Sequence, residues 1–406
     1  MLEEFFRRSK RIRGPLAFHL PGFATSLKEE DYADASVKAK LWCLGDLGRW
    51  MKRKGLTVAN LCEPRVEAFV RSHQRAGRGD LRTLKQFRDS LRKRGAILDR
   101  KLSCDRSPLA KILGRYERYL RSERGLVAVT ILNYEAYVRK FLGERFRKGP
   151  FHFSEVKPSD ISSFILRHGP TMSPRTAQVM TTAFRSFFRF LFQNGKLKAD
   201  LAASVPAVPD WRQSTVPKYL TSEEVECMLR VCNRRTATGR RDYAILLLLA
   251  RLGLRAGEVV ALELDDVDWR AGEILIRGKG LRHERMPLPA EVGKALTSYL
   301  RHDRPPCRTR RVFVRVRAPR RGFCSHKALT SIVKRALLRA DLHPALKGAH
   351  LLRHSLATSM LRSGATMAEI GEVLRHRTPN TTEIYAKVDF DGLRSLVHPW
   401  PLGGGQ

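Results

Sequence analysis

A mainly α-helical chain with one small β-sheet, arranged as helical N-terminal modules followed by an α+β domain, is predicted from three observations. Apolar residues recur at helical spacing over most of the sequence, whereas strand-like stretches are confined to residues 273–276 and 284–288, either side of Gly278-Lys279-Gly280. A polar, non-periodic stretch at 203–219 holds Pro206, Pro209 and Pro217 and reads as an extended linker. The 406 residues also exceed what one ordinary core organises, so two or three domains are expected.

Residues 1–14 form a basic tail with Arg7, Arg8, Lys10, Arg11 and Arg13, and they lack the apolar stretch of a signal peptide. Beyond it, Pro15-Leu16-Ala17 with Phe23 and Leu27 recurs as Pro108-Leu109-Ala110 with Tyr116 and Leu120, an offset of 93 residues. Each copy is followed by an apolar-periodic helix, at 41–51 and 134–141, and by a further helical stretch ending near Phe69 and Phe164. Two all-helical modules are expected, at 15–105 and 106–205. The competing reading is that any two amphipathic helical stretches look alike.

The second module closes with a helix at 174–194, stopped by Gly195 where a left-handed cap is expected. Val179, Ala183, Phe184, Phe187, Phe188 and Leu191 form its apolar stripe, while Gln178, Thr182, Arg185 and Arg189 recur on another face. Arg185 and Arg189 are candidate contacts to nucleic acid phosphates; a solvated helix face is the alternative. After the linker, 206–219, a third domain is expected at 220–390. Thr221 with Glu224 makes a capping box, residues 243–252 read as a buried central helix, and the two short strands follow. Helices are expected at 291–301, 327–340, 351–361 and 367–374, the last opened by a second capping box of Thr366 and Glu369. A short helical stretch at 381–388 and a tail at 391–406, with Leu393, Leu396, Val397 and Trp400, complete the chain.

Charge narrows the function. Lys and Arg number 77 against 40 Asp and Glu, a formal net charge of +37. Dispersed over the whole chain, that excess points to a polyanionic partner and to binding that weakens steeply with salt. Seven scattered cysteines, none paired at zinc-ligand spacing with suitable histidines, fit reduced thiols in a cytoplasm. The longest apolar run, 243–250, is too short to span a bilayer, so no membrane role is expected.

Six residues in the last third have the chemistry for a phosphodiester: Arg255, Lys279, His350, Arg353, His376 and Tyr385. Two arginines can hold phosphate oxygens with planar paired donors, a lysine and histidines can move protons, and a tyrosine can attack phosphorus without a metal. Gly253 can end one helix and begin another, aiming Arg255 inward. Lys279 is flanked by glycines at a turn between strands, and His350 and Arg353, three apart, share one helix face. His354 is expected to point elsewhere, as a hydrogen-bonded packing residue. Taken singly, each of the six has a bland structural reading; their order and contexts together carry the weight.

These motifs, Gly253-Leu254-Arg255-Ala256-Gly257-Glu258, Gly278-Lys279-Gly280, His350-Leu351-Leu352-Arg353-His354 and Leu374-Arg375-His376 with Tyr385, resemble those of the tyrosine recombinases of the phage integrase family over residues 106–390. One departure is Arg375, where that family usually has glycine. The resemblance implies helical, SAM-like DNA-binding modules before a tyrosine-recombinase-like catalytic domain. It implies that Tyr385 attacks a DNA phosphate to form a 3′-phosphotyrosyl link and free a 5′-hydroxyl, without metal, cofactor or ATP. Arg255 and Arg353 would hold the non-bridging oxygens, His376 would donate to the same phosphate, His350 is the candidate base, and Lys279 would protonate the leaving oxygen. Glu258 would orient Arg255 or support packing. Double-stranded DNA is the implied partner, bound by a homo-tetramer on two sites, of this chain alone or with related recombinases. Integration or excision of a mobile element is the expected outcome, in a cytoplasmic, nucleoid-associated setting. A type IB topoisomerase and a catalytically silent DNA-binding accessory protein are the alternatives. The tail beyond Asp389 is expected either to pack on a neighbouring protomer or to fold on its own domain.

Overall fold

Hydrophobic spacing of three and four residues organises nearly every element of the chain. A computed structural model of the protein describes residues 14–72, 78–97, 108–146, 151–209, 216–278 and 283–388. The basic tail up to residue 13, Lys279 and the C-terminal tail at 391–406 lie outside the described residues. Two compact units emerge, Met1–Arg94 with Thr215–Gln406, and Gly95–Ser214. The expected module at 106–205 falls in the second of these, and residues 15–94 fall in the first together with 220–390.

In the first unit, α1 (Leu20–Glu29), α2 (Asp34–Arg53), α3 (Glu63–Ser72) and α4 (Arg78–Lys93) form the N-terminal helical layer. Phe23 and Leu27 on α1, Leu41, Leu44, Leu47 and Met51 on α2, Phe69 on α3 and Phe87 on α4 are all buried. Phe23 and Phe87 meet edge to face with centroids 5.0 Å apart, the preferred aromatic geometry.

The same unit continues with α9 (Ser222–Arg230), α10 (Ala237–Arg251) and α11 (Ala256–Ala261). As the capping box predicts, Thr221 Oγ1 accepts the Glu224 N–H at 3.3 Å and Glu224 Oε2 accepts the Thr221 N–H at 2.8 Å. Helix α10 is the central element: every side chain from Ala244 to Leu249 is fully buried. An antiparallel sheet of order β1-β2-β3 follows, from β1 (Val267–Asp268), β2 (Glu273–Arg277) and β3 (His283–Pro287). The two predicted strands are β2 and β3. Strand β1 has two residues and offers no alternation for a sequence pattern to register.

Then come α12 (Ala290–His302), α13 (Lys327–Arg339), α14 (Ala349–Arg362) and α15 (Met367–Val373), each matching an expected helix within two residues. Residues 379–388 differ from expectation. They form two 3₁₀ turns, Pro379–Thr381 and Glu383–Val388, because Pro379 and the short span leave no room for α-helical nucleation. Among the described residues, no helix is long and apolar enough to cross a membrane.

The second unit holds α5 (Pro108–Arg118), which runs into a π-helical turn at Tyr119–Glu123, then α6 (Ala128–Phe146), α7 (Pro158–His168) and α8 (Pro174–Gln193). Its core is aromatic, with Phe141, Phe164, Phe184, Phe187 and Phe188 fully buried and Phe141–Phe184 centroids 5.4 Å apart. Helix α8 starts at Ser173, whose hydroxyl accepts the Thr176 N–H, and stops where Gly195 takes φ +65°, a conformation glycine adopts without a steric penalty. Arg189 is exposed on this helix. Arg185 is half-buried, and its Nη2 donates to the Val205 and Pro206 carbonyls at 3.1 Å each, fastening the segment that leaves the unit.

Phe184 touches both Phe141 and Phe164. Truncating it to alanine is expected to destabilise the chain by about 3–5 kcal/mol, read as a lower urea midpoint. A midpoint within error of the native one would show that the aromatic cluster does not anchor this unit.

Candidate active site

Five of the six candidate residues are described, and they come together at the ends of α10, α14 and α15. The turn after α10 explains how. Gly253 has φ +56°, and a Cβ there would lie 2.6 Å from Leu374 Cδ2, so both the backbone conformation and the space demand glycine. This tight turn delivers Arg255 to the start of α11. There its backbone N–H donates to Glu258 Oε2 at 2.9 Å and its Nη1 donates to Glu258 Oε1 at 2.8 Å. Its Nη2 reaches the Arg375 carbonyl at 3.4 Å.

Arg353 is close enough to Arg255 to feel its charge. Its guanidinium is buried, with Nη1 donating to the Gly253 carbonyl and Nη2 to the Leu374 carbonyl. Burial, helped by the charges of Arg255 and Arg375, brings its pKa down to about 10. Glu258 is buried as well. Desolvation opposes its ionisation, but the Arg255 N–H and the charges of Arg375 and Arg255 outweigh that and hold its carboxyl below the ordinary range.

His350, at the exposed start of α14, feels the same field. Partial desolvation, then Arg353 and Arg255, lower its pKa. His376 follows α15 and its Nδ1 lies 2.7 Å from Thr382 Oγ1; burial, then Arg353 and Arg255, push it down to about 4. Its ring stacks parallel to Tyr385, centroids 6.4 Å apart and planes 4° apart. Tyr385 is fully buried, and burial raises its phenol to about 12, with Arg353 working in the opposite direction.

One expectation needs correcting. His354 does not point away from the site: four residues after His350, it sits one helical turn below it, with the two rings 6.4 Å apart. Its Nδ1 lies 3.0 Å from the Tyr385 hydroxyl. Burial, then His350 and Arg353, depress its pKa to about 4, so the ring is neutral at pH 7 and can accept the phenolic proton in a hydrogen bond. The four-residue spacing to His350 was the available signal.

Lys279 lies outside the described residues. The strands that flank it are in place, with Arg277 opposite His283. Strand β3 touches the site directly, since Arg375 packs its Nη1 against Met286 Sδ and its Nε lies 3.8 Å from Glu284 Oε2. The arrangement is a buried carboxylate paired with two guanidiniums, those of Arg255 and Arg375, with the buried Arg353, two imidazoles held near pKa 4 and a phenol alongside. It can bind a phosphate diester in place of bulk anions and offers a nucleophile and neutral proton acceptors next to it.

Comparison with known proteins identifies the family. Residues 218–391 match the phage integrase family, and residues 113–195 match the phage integrase N-terminal SAM-like domain. The chain is 41% identical to a Sinorhizobium fredii (strain NGR234) protein carrying the name integrase/recombinase y4rA, over 98% of this chain and 97% of that protein. It is 32% identical to tyrosine recombinase XerD of Mycobacterium tuberculosis (strain H37Rv), over 72% of this chain and 98% of the relative. Among solved structures, XerH site-specific recombinase bound to a palindromic difH substrate in a post-cleavage complex matches with TM-score 0.57 and 21% identity. That match covers 70% of this chain and 83% of the other, and shows a shared fold.

The depressed histidines give a pH dependence with a definite sign. Unfolded, His354 and His376 take up protons as pH falls below about 6.5, whereas in the fold they resist until about pH 4. Their contribution to stability is therefore complete above about pH 6.5 and is lost as pH falls toward 4. The melting temperature should drop across that window, and His354→Gln should flatten the drop. A native profile with no slope there would mean that the rings are protonated inside the fold.

Proposed function

Because the chain belongs to the phage integrase family and is a tyrosine recombinase acting on specific DNA sites, we propose that Tyr385 is the nucleophile of strand cleavage. The observation that carries this is the stacking of Tyr385 on His376 and its hydroxyl contact with His354, within the field of Arg353. In the step proposed, Tyr385 Oη bonds to the scissile phosphorus, the bond from phosphorus to the 5′-oxygen breaks, and a 3′-phosphotyrosyl ester remains. The phenolic proton passes to His350, whose partial burial, reinforced by the charges of Arg353 and Arg255, lowers its pKa and so favours the unprotonated ring that has a lone pair to accept it. Arg255 and Arg353 face the developing phosphorane charge, and His376 donates to the same oxygens. Lys279 protonates the departing 5′-oxygen.

The ester conserves the energy of the broken bond, so a 5′-hydroxyl from another duplex can attack it and exchange strands. We assign the role of gripping double-stranded DNA to both units, supported by the formal charge of +37. Arg189 on α8 faces solvent and is free to meet phosphates. Arg185 acts there through the segment whose carbonyls it holds. The helical modules 15–105 and 106–205 choose the site, the domain 220–390 cuts, and four protomers assemble on two DNA sites to integrate or excise a mobile element. Family membership favours this over a topoisomerase or a silent accessory protein.

Resting Tyr385 is buried, so a phosphate reaches its oxygen only after the Glu383–Val388 turn shifts. On a nicked suicide substrate, Tyr385→Phe should retain DNA binding and form no covalent adduct. Adducts surviving in that variant would rule out the nucleophile assignment. Arg255→Lys keeps the charge but loses the paired donors, and its cleavage rate should fall at least a hundredfold at unchanged DNA affinity. A rate within a few-fold of native would show that a point charge suffices.

A further inference from the structure

The least expected residue of the site is Arg375. It takes φ +54°, a left-handed conformation in which a non-glycine residue is strained. Its long cationic side chain is nevertheless only 7% exposed. Such a choice requires compensation from the contacts it makes.

Those contacts converge on Arg255. Arg375 Nη2 donates to Glu258 Oε2 at 2.9 Å, the same oxygen that accepts the Arg255 backbone N–H, while Arg255 Nη1 holds the other oxygen. The Arg375 carbonyl accepts from Arg255 Nη2. On its far side the guanidinium lies against Met286 Sδ and near Glu284, both on strand β3. Arg375 is thus in contact with the Arg255 carboxylate partner, the backbone leading into His376, and strand β3.

We propose that Arg375 is a positioning residue for strand cleavage, which balances Glu258 so that Arg255 keeps its charge for the phosphate and which ties strand β3 to the arginine site. The charge argument is simple. Arg255 and Glu258 alone sum to zero, which would leave the buried Arg353 as the one unbalanced guanidinium facing a diester and put the Glu258 anion directly behind Arg255. With Arg375 added, the trio carries +1, and the carboxylate can orient Arg255 without cancelling it. Burial is the main cause of the lowered pKa values of Arg353 and His376, and the Arg375 charge acts in the same direction on both. Its hold on β3 is mechanical: Met286 pairs with Ile274 and Glu284 with Ile276, so its two contacts fall on either side of the central pair of the β2–β3 ladder.

This inference rests on the phosphotyrosyl reading, and the test separates the two. Single-turnover formation of the Tyr385–DNA adduct would be measured for the native chain, Arg375→Gly, Arg375→Lys, Glu258→Gln and the double variant Arg375→Gly/Glu258→Gln, beside DNA affinity and melting temperature. Glycine relieves the backbone strain, so Arg375→Gly should fold, bind DNA as tightly as native, and form adduct at least tenfold more slowly. Arg375→Lys should recover part of that rate. In the Glu258→Gln background, where no carboxylate needs balancing, losing Arg375 should cost less than threefold. Arg375→Gly cleaving within twofold of native, or losses that simply multiply in the double variant, would overturn the role. A native chain that forms no adduct at all would instead overturn the nucleophile assignment on which it rests.

Discussion

Arg353 buries a positive charge beneath the site and gives its two Nη donors to main-chain carbonyls from two distant segments, Gly253 and Leu374. A guanidinium without solvent needs acceptors in fixed places, and each acceptor here belongs to a segment that carries a candidate site residue. Gly253 leads into Arg255, and Leu374 leads into Arg375 and His376. The apolar environment completes the lock, since Leu374 and Leu356 occupy the space that a side chain at 253 would need. Replacing the charge with an apolar group would leave both carbonyls unsatisfied, so one residue fixes the spacing between two halves of the active site.

From that buried cation follows the electrostatic character of everything nearby. Arg255 and Arg375 share the buried carboxylate of Glu258 while Arg353 has only carbonyl partners, and this positive field adds to burial, the larger cause, in depressing the pKa values of His350, His354 and His376. Burial and the neighbouring guanidiniums together favour neutral imidazoles, which suits proton acceptance from a phenol. A bound phosphodiester would add the missing negative charge and relax the same depression. Binding of substrate and the protonation states of the histidines are therefore coupled through Arg353.

Much of this was legible in the sequence. The capping boxes at Thr221 and Thr366 place their helices, Gly195 ends α8, and the strands around Gly278-Lys279-Gly280 pair as read, because these signals are local. The order of Arg255, His350, Arg353, His376 and Tyr385 is local too, once each has a helix end or turn to stand on. What escaped depends on distance in the chain. Strand β1 exists only because Val267 and Asp268 meet β2, and Arg375 could be seen as a departure but not as a partner of Glu258, 117 residues away. His354 shows a different failure. Its four-residue spacing from His350 was plain, yet its partner is a tyrosine that only tertiary folding brings within 3.0 Å.

The position of Tyr385 has a mechanistic consequence. Its ring lies in a small apolar cluster with Ala357, Ile370, Leu374 and Val388, and its hydroxyl rests on His354, so the proposed nucleophile is stored rather than presented. Withdrawing a buried aromatic side chain of this size costs about 2–3 kcal/mol in lost burial, plus the hydrogen bond. The element that carries it is suited to such a change: Glu383–Val388 is a 3₁₀ turn, with poorer hydrogen-bond geometry than an α-helix, and a second short turn at Pro379 precedes it. A penalty of that size is small beside the free energy that several arginine–phosphate contacts release. It is large enough, at roughly two powers of ten in population, to keep the tyrosine away from stray phosphates until DNA fills the site.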